Sequence, residues 1–391
     1  MKRRHILIIN IIFFGFMLFS AGVVYQYMTG NKPLSIIGDI AHRQKTITIN
    51  TNACTTQKAN TQIGVGDSPA LAKLAIYQQA CHSFVTGTMM VFTSMPDSVT
   101  AAKTYADTDA QMLKAFAKSN VRPLVVAEPS NTAGTNLDFA LFAGGSYNET
   151  LNAYFAELKT QGITDAQMGV WNPFPEPNLP YWANNQPQYF APAVNNYLTT
   201  LRQYFPAAQT SILLNSATYS TTDFNWENGE YDSLLPYVKG IAPGLVDYAG
   251  LQGFPWLSPK GGNGAILNGA EFINPSLLQE VADTLKIKKV WFNTGTFATK
   301  YTLDPAQTVT MTPERRKAVL ATVDSQALLL QKRGYEVAIN IFAQDKSHDS
   351  EETDWSYWSN DKPFNSEATP VITDFINQLA QQKIAFWLFD K

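Results

Sequence analysis

The stretch that decides the fold is Pro123-Leu124-Val125-Val126-Ala127-Glu128, a helical segment from Glu149 to Gln161, and then Met168-Gly169-Val170-Trp171 running into Asn172-Pro173-Phe174-Pro175-Glu176-Pro177-Asn178. The two apolar runs are short and end on polar residues, as buried strands do. The segment between them places Leu151, Tyr154, Phe155 and Leu158 on one helical face. Strand, helix and strand in this order make a βα repeat with parallel strands. The same alternation extends outward in both directions. Counting from the N-terminus, the runs are Ile63–Gly66, Met89–Thr93, Pro123–Ala127, Met168–Trp171, Thr210–Leu214, Tyr248–Gln252, Lys289–Phe292 and Val337–Phe342, with a further long helix from Pro313 to Arg333. Eight such units with no second composition regime predict an α/β fold, a (β/α)8 TIM barrel. The 391 residues are enough for such a barrel with decorations.

Upstream of the repeats the character changes twice. Met1-Lys2-Arg3-Arg4-His5 is a cationic flank, and an apolar segment follows from Ile6 to about Met28. That pattern predicts a single membrane-spanning signal anchor over 1–29 with the rest of the chain outside the cytoplasm. Ser20-Ala21-Gly22 also fits a cleavage site, and a cleaved signal peptide would make the protein secreted. Residues 30–62 are polar and aperiodic, an extracytoplasmic linker, and 63–391 form the barrel domain. Outside the cytoplasm thiols oxidise, so Cys54 and Cys81, the 2 cysteines of the chain, are expected to pair, closing a loop that stabilises the fold by about 3 kcal/mol. Two unrelated buried thiols are the alternative.

Composition narrows the ligand. Charged residues are 16% and aromatics 12%, with a net charge of −3, so a phosphate backbone finds no electrostatic support and nucleic acid is excluded as a partner. The 4 histidines do not cluster with cysteines, so no metal and no cofactor is expected. The acidic run Asp349 to Asp354 lacks the glycine of a calcium loop and is read as a solvated face. A low-charge, aromatic-rich surface suits neutral, hydroxyl-rich ligands, and a monomer is expected.

In a barrel of this kind the reacting groups follow the strands. Asp67, Glu128, Asn172 to Asn178, Asn215, Phe254-Pro255-Trp256, Asn293-Thr294-Gly295 and Asp345 occupy those places. Glu128 and Glu176 lie past neighbouring strands, and paired carboxylates are what cleavage of a glycosidic bond requires. Glu176 between prolines equally fits a rigid loop end, and Glu128 a residue that orders neighbouring loops. Tyr181, Trp182, Phe254, Trp256 and Trp355 offer flat faces for sugar rings, and Asn172, Asn178 and Asn215 offer amides for hydroxyls.

These residues resemble glycoside hydrolase family 26, a family of retaining (β/α)8 enzymes that includes β-mannanases. The likeness runs from about Ile63 to Trp358. It rests on Ala127-Glu128-Pro129, Gly145-Ser146-Tyr147-Asn148, Glu176-Pro177-Asn178 followed by Tyr181-Trp182, the segment Val246 to Pro255, and Asp354-Trp355. The resemblance implies that Glu176 is the acid/base residue at the end of strand four. It also implies a nucleophilic Glu in a Glu-x-Gly triplet ending strand seven, but the triplet here is Asn293-Thr294-Gly295, and the usual His before the acid/base Glu is Pro175. An amide cannot form the glycosyl-enzyme ester.

Three functions follow as expectations. The first is a membrane-anchored glycosidase acting on β-linked mannan, glucan or cell-envelope polysaccharide, with Glu176 as general acid and Glu128, Asp345 or Asp67 replacing the absent carboxylate. The second is a sugar-binding pseudoenzyme of the cell envelope, and the third a structural spacer.

Overall fold

The computed structural model describes residues 45–47, 63–65, 88–118, 122–178, 186–216, 233–253, 274–295, 300–301, 309–310, 313–342, 374–375, 378, 381–382 and 384–389. Runs rich in branched and aromatic residues form the strands. In chain order these are β1 (Thr88–Ser94), β2 (Arg122–Glu128), β3 (Val170–Pro173), β4 (Gln209–Asn215), β5 (Tyr248–Gln252), β6 (Lys289–Gly295), β7 (Glu336–Phe342) and β8 (Ala385–Phe389). They pair in sequence order, every pair parallel, and β8 closes the barrel between β7 and β1. The longer helices are α1 (Val99–Lys118), α2 (Asn148–Thr160), α3 (Pro187–Tyr204), α4 (Pro275–Leu285) and α5 (Pro313–Lys332). Proline opens α3, α4 and α5, where its missing N–H costs nothing. Asn274 caps α4 through its side-chain oxygen, which accepts from the N–H groups of Ser276 and Leu277.

Two apolar layers follow from the alternation of side chains along each strand. Met90, Leu124, Val126, Val170, Leu213, Tyr248, Trp291 and Ala338 fill the barrel interior. Their neighbours, such as Val125, Trp171, Ile212, Leu214 and Phe292, face the helices and join the larger core. Trp291 occupies the middle of the barrel and donates its indole N–H to Ser211 Oγ at 2.8 Å. A Cβ on Gly250 would stand 2.4 Å from its ring, so glycine is required there for Trp291 to fit.

The barrel is therefore the expected one, but one of its staves is different. Ile63–Val65, expected to be the first strand, pairs antiparallel with Lys45–Ile47 in a separate two-stranded ladder. A three-residue run bounded by Gly66 is too short to span the barrel wall, whereas Ala385-Phe386-Trp387-Leu388-Phe389 is a continuous apolar run of the type buried on both faces. Glu128 therefore ends the second strand, Glu176 follows the third and Asn293 lies near the end of the sixth, each one place earlier than the resemblance implied, with their mutual spacing kept. Among the described residues no helix is long and apolar enough to cross a membrane. The segment 1–29, most of the linker, Cys54 and Cys81 lie outside the described residues.

Candidate active site

Glu176 is brought to the C-terminal mouth of the barrel by the loop that leaves β3. Phe174 and Glu176 both have left-handed backbone, with φ of 53° and 51°, and each precedes a proline. Non-glycine residues hold such a conformation at a cost of about 1–3 kcal/mol each, and only where the surroundings impose it. Here they do. The Phe174 N–H donates to Ala127 O of β2 at 3.0 Å, and the Glu176 N–H donates to Leu213 O of β4 at 2.7 Å, so the loop is strung across β3 between its two neighbours. The Phe174 ring is buried edge-on against Phe139, Phe142 and Tyr197, with centroids 5.2, 4.8 and 5.6 Å away. With the aromatic ring fixed in the helix layer, the carboxyl two residues on is fixed at the mouth.

Amides frame that carboxyl. Asn215 Nδ2 and Gln252 Nε2 both donate to Glu176 Oε1. Asn293 Nδ2 donates in turn to Gln252 Oε1, and Asn340 Nδ2 donates to Asn293 Oδ1 at 2.7 Å. Asn215, Gln252, Asn293 and Asn340 are register partners across β4, β5, β6 and β7, so they form one polar rung directly above the apolar filling. Asn293 and Asn340 are buried, at 2% and 0% exposure.

Asn178 engages the main chain of Asn215 from both ends of its amide: Nδ2 donates to Asn215 O at 2.8 Å, and Oδ1 accepts from the Asn215 N–H at 2.9 Å. This ties the loop to β4 and places Asn178 in the scaffold of the site. Asn172, on β3 beside Val126, is fully buried, and neither polar atom of its side chain has a hydrogen-bond partner. Glu128 is half-buried at the end of β2, in register with Ser94. Asp67, Tyr181, Trp182, Phe254, Trp256, Asp345 and Trp355 lie outside the described residues. Among the described residues no group of three or more His, Cys, Asp and Glu side chains could hold a metal.

Gln252 and Asn340 were not singled out in the sequence because each sits within its strand and not after it. The available signal was an amide recurring at one inward position in four consecutive apolar runs, Asn215, Gln252, Asn293 and Asn340.

The chain also holds a buried acid away from the mouth. Asp109 of α1 accepts from Thr93 Oγ1 at 2.7 Å and from Tyr154 Oη at 2.5 Å, between β1 and the helix layer. Burial raises its carboxyl from 3.8 to about 6, against the opposing pull of the two hydrogen bonds. Burial likewise pushes the Tyr154 and Tyr197 hydroxyls up.

No family model matches the chain, and no curated protein matches it in sequence. Solved structures similar to it include a β-glucosidase from Thermotoga maritima in complex with castanospermine, 12% identical over 78% of this chain and 85% of that one, with a TM-score of 0.49. Another is a family 1 β-glucosidase from the same organism, 13% identical over 79% of this chain and 85% of that one, with a TM-score of 0.48. The same family 1 enzyme in complex with isofagomine lactam gives 13%, 78%, 85% and 0.49. The barrel itself rests on its strand pairing.

Proposed function

We propose that this chain is a glycoside-hydrolase-like protein that acts on β-linked polysaccharide at the mouth of the barrel, with Glu176 as the general acid. The observation that carries the proposal is the strained placement of Glu176: a left-handed residue between prolines, pinned at its N–H to β4 and at Oε1 by two amides. Backbone strain of this kind concentrates at working sites. With Oε1 engaged by amide donors, the proton to be transferred is carried on Oε2, and its direction is set by the orientation of the carboxyl plane.

Glu128 is the proposed base. Glu128 ends β2, the strand beside β3, whose loop carries Glu176. An inverting displacement requires the two carboxyls to stand roughly 6.5–9.5 Å apart with a water between them. Inversion also suits Asn293, which stands where the resemblance to glycoside hydrolase family 26 places an attacking Glu.

A second function, glycan binding without cleavage, is favoured by one observation: the Asn293 amide is bonded at both ends and buried, so the expected nucleophile position is built as scaffold. The cationic flank and apolar segment of 1–29 support an exported protein held at the cell membrane. The test is incubation of the full chain with β-mannans, β-glucans and cell-wall glycans. Release of reducing ends by the native chain, abolished in Glu176→Gln and in Glu128→Gln, supports cleavage. Saturable binding with no release, unchanged in both variants, supports the second function, and neither binding nor release overturns both.

A further inference from the structure

The rung above the barrel filling has a direction, and that direction is fixed by chemistry. A carboxyl oxygen that carries no proton only accepts hydrogen bonds, and Glu176 Oε1 is such an oxygen whether the group is ionised or holds its proton on Oε2. Gln252 must therefore turn its NH2 to Glu176, which turns its carbonyl to Asn293. Asn293 must then present its NH2 to that carbonyl and its own carbonyl to Asn340. The sequence of donors runs one way, from β7 through β6 and β5 to the carboxyl, and at its far end Asn340 Oδ1 is buried without a partner. Burying a polar atom without a hydrogen bond is unfavourable, and the next layer down, with Leu213, Trp291, Ala338 and Met90, shows that apolar side chains fill this interior well. A rung selected for stability alone has no reason to carry four amides and an orphaned oxygen.

We propose that Gln252, Asn293 and Asn340 are positioning residues for Glu176, a one-way amide relay that holds the Gln252 N–H on the carboxyl. Asn293 is then the middle member of the relay and not a lost nucleophile. The proposal rests on Glu176 being the reacting carboxyl of the mouth. Among the described residues at the C-terminal mouth, Glu128 ends β2 and Asp97 follows β1, while Asn172, Asn215, Gln252, Asn293 and Asn340 are neutral.

The experiment is a carbon-13 titration of the Glu176 carboxyl in the full chain labelled at glutamate, with the signal assigned by its loss in Glu176→Gln. Gln252→Leu removes one of the two amide donors and is expected to raise the midpoint by about one pH unit. Asn293→Leu and Asn340→Leu, which touch nothing on Glu176, are expected to raise it by smaller, graded amounts. An unmoved midpoint in both overturns the relay.

Should the leucine variants not fold, Asn293→Asp serves, because it preserves the side-chain shape. Its carboxylate draws the Gln252 N–H away and turns the Gln252 carbonyl onto Glu176. The midpoint is expected to rise further than in the double variant Asn293→Asp/Gln252→Leu, where the added charge and the lost donor act without a carbonyl turned onto Glu176, and equal shifts overturn the relay. The titration needs no glycan, so its outcome is independent of whether the chain cleaves one.

Discussion

Asp109 makes the fold sensitive to pH without taking part in the mouth. Its carboxyl is raised from 3.8 to about 6 by burial, so the native state keeps a proton that the unfolded chain gives up. Its contribution is fully present below about pH 4 and declines as pH rises through about 6, a loss of about 3 kcal/mol in total. Asp109→Asn keeps an acceptor for Thr93 and Tyr154 but cannot ionise. Urea unfolding between about pH 4 and 7 should show stability falling with pH in the native chain and a flattened slope in the variant. A slope that survives in Asp109→Asn assigns the effect to another group. At this scale the sequence was informative where polarity breaks off an apolar run and uninformative where a polar residue is flanked by apolar ones. Glu128, Glu176 and Asn293 could be picked out because polarity interrupts an apolar run. Asn340, inside Val337–Phe342, became visible only once register placed it beside Asn293. Asp109 could not be found at all, since an acid in an amphipathic helix looks solvent-facing until Tyr154 and Thr93 are seen to cover it.

Among the elements, β5 and β6 depend on each other through Gly250 and Trp291. The alternation of β6 distinguishes Trp291, inside the barrel, from Phe292, outside it. What the sequence could not show is that the indole lies over the Gly250 backbone, because that contact joins strands 41 residues apart in the chain. Gly250→Ala should cost about 1–3 kcal/mol by overpacking, measured as a lower thermal midpoint. Gly250→Ala combined with Trp291→Phe, which shortens the facing ring, should recover part of the loss. Additive losses in the double variant would mean that the two residues do not share the space. Two helices were legible for a simpler reason: the apolar face of α2 repeats at helical spacing, and a proline marks the start of α5.

For the whole molecule, closure depends on the C-terminal strand. The sequence yields eight βα units because apolar runs alternate with helices, yet it assigns the first place to Ile63–Gly66 and passes over Ala385–Phe389 at the end of the chain. Periodicity finds strands but does not say which of them share a wall; pairing does. Without β8 the edges of β7 and β1 lack their partners, and open parallel edges invite association. Truncation after Gln382 should therefore convert a folded chain into an aggregating one, checked by size-exclusion chromatography. A truncated chain that stays folded and unassociated would count against closure by β8.

Closure matters because it brings Glu176 and the ends of the other strands around one opening, and Glu176 as acid is the claim on which the function stands. The leaving group tests it most directly, since a good leaving group departs without a proton. Kinetics of the full chain and Glu176→Gln should be compared on β-linked polysaccharide and on a dinitrophenyl β-glycoside of the same sugar. The expected result is a loss of about 100-fold or more on the polysaccharide and little change on the dinitrophenyl substrate. Equal losses on both substrates, or none on either, would contradict the role given to Glu176.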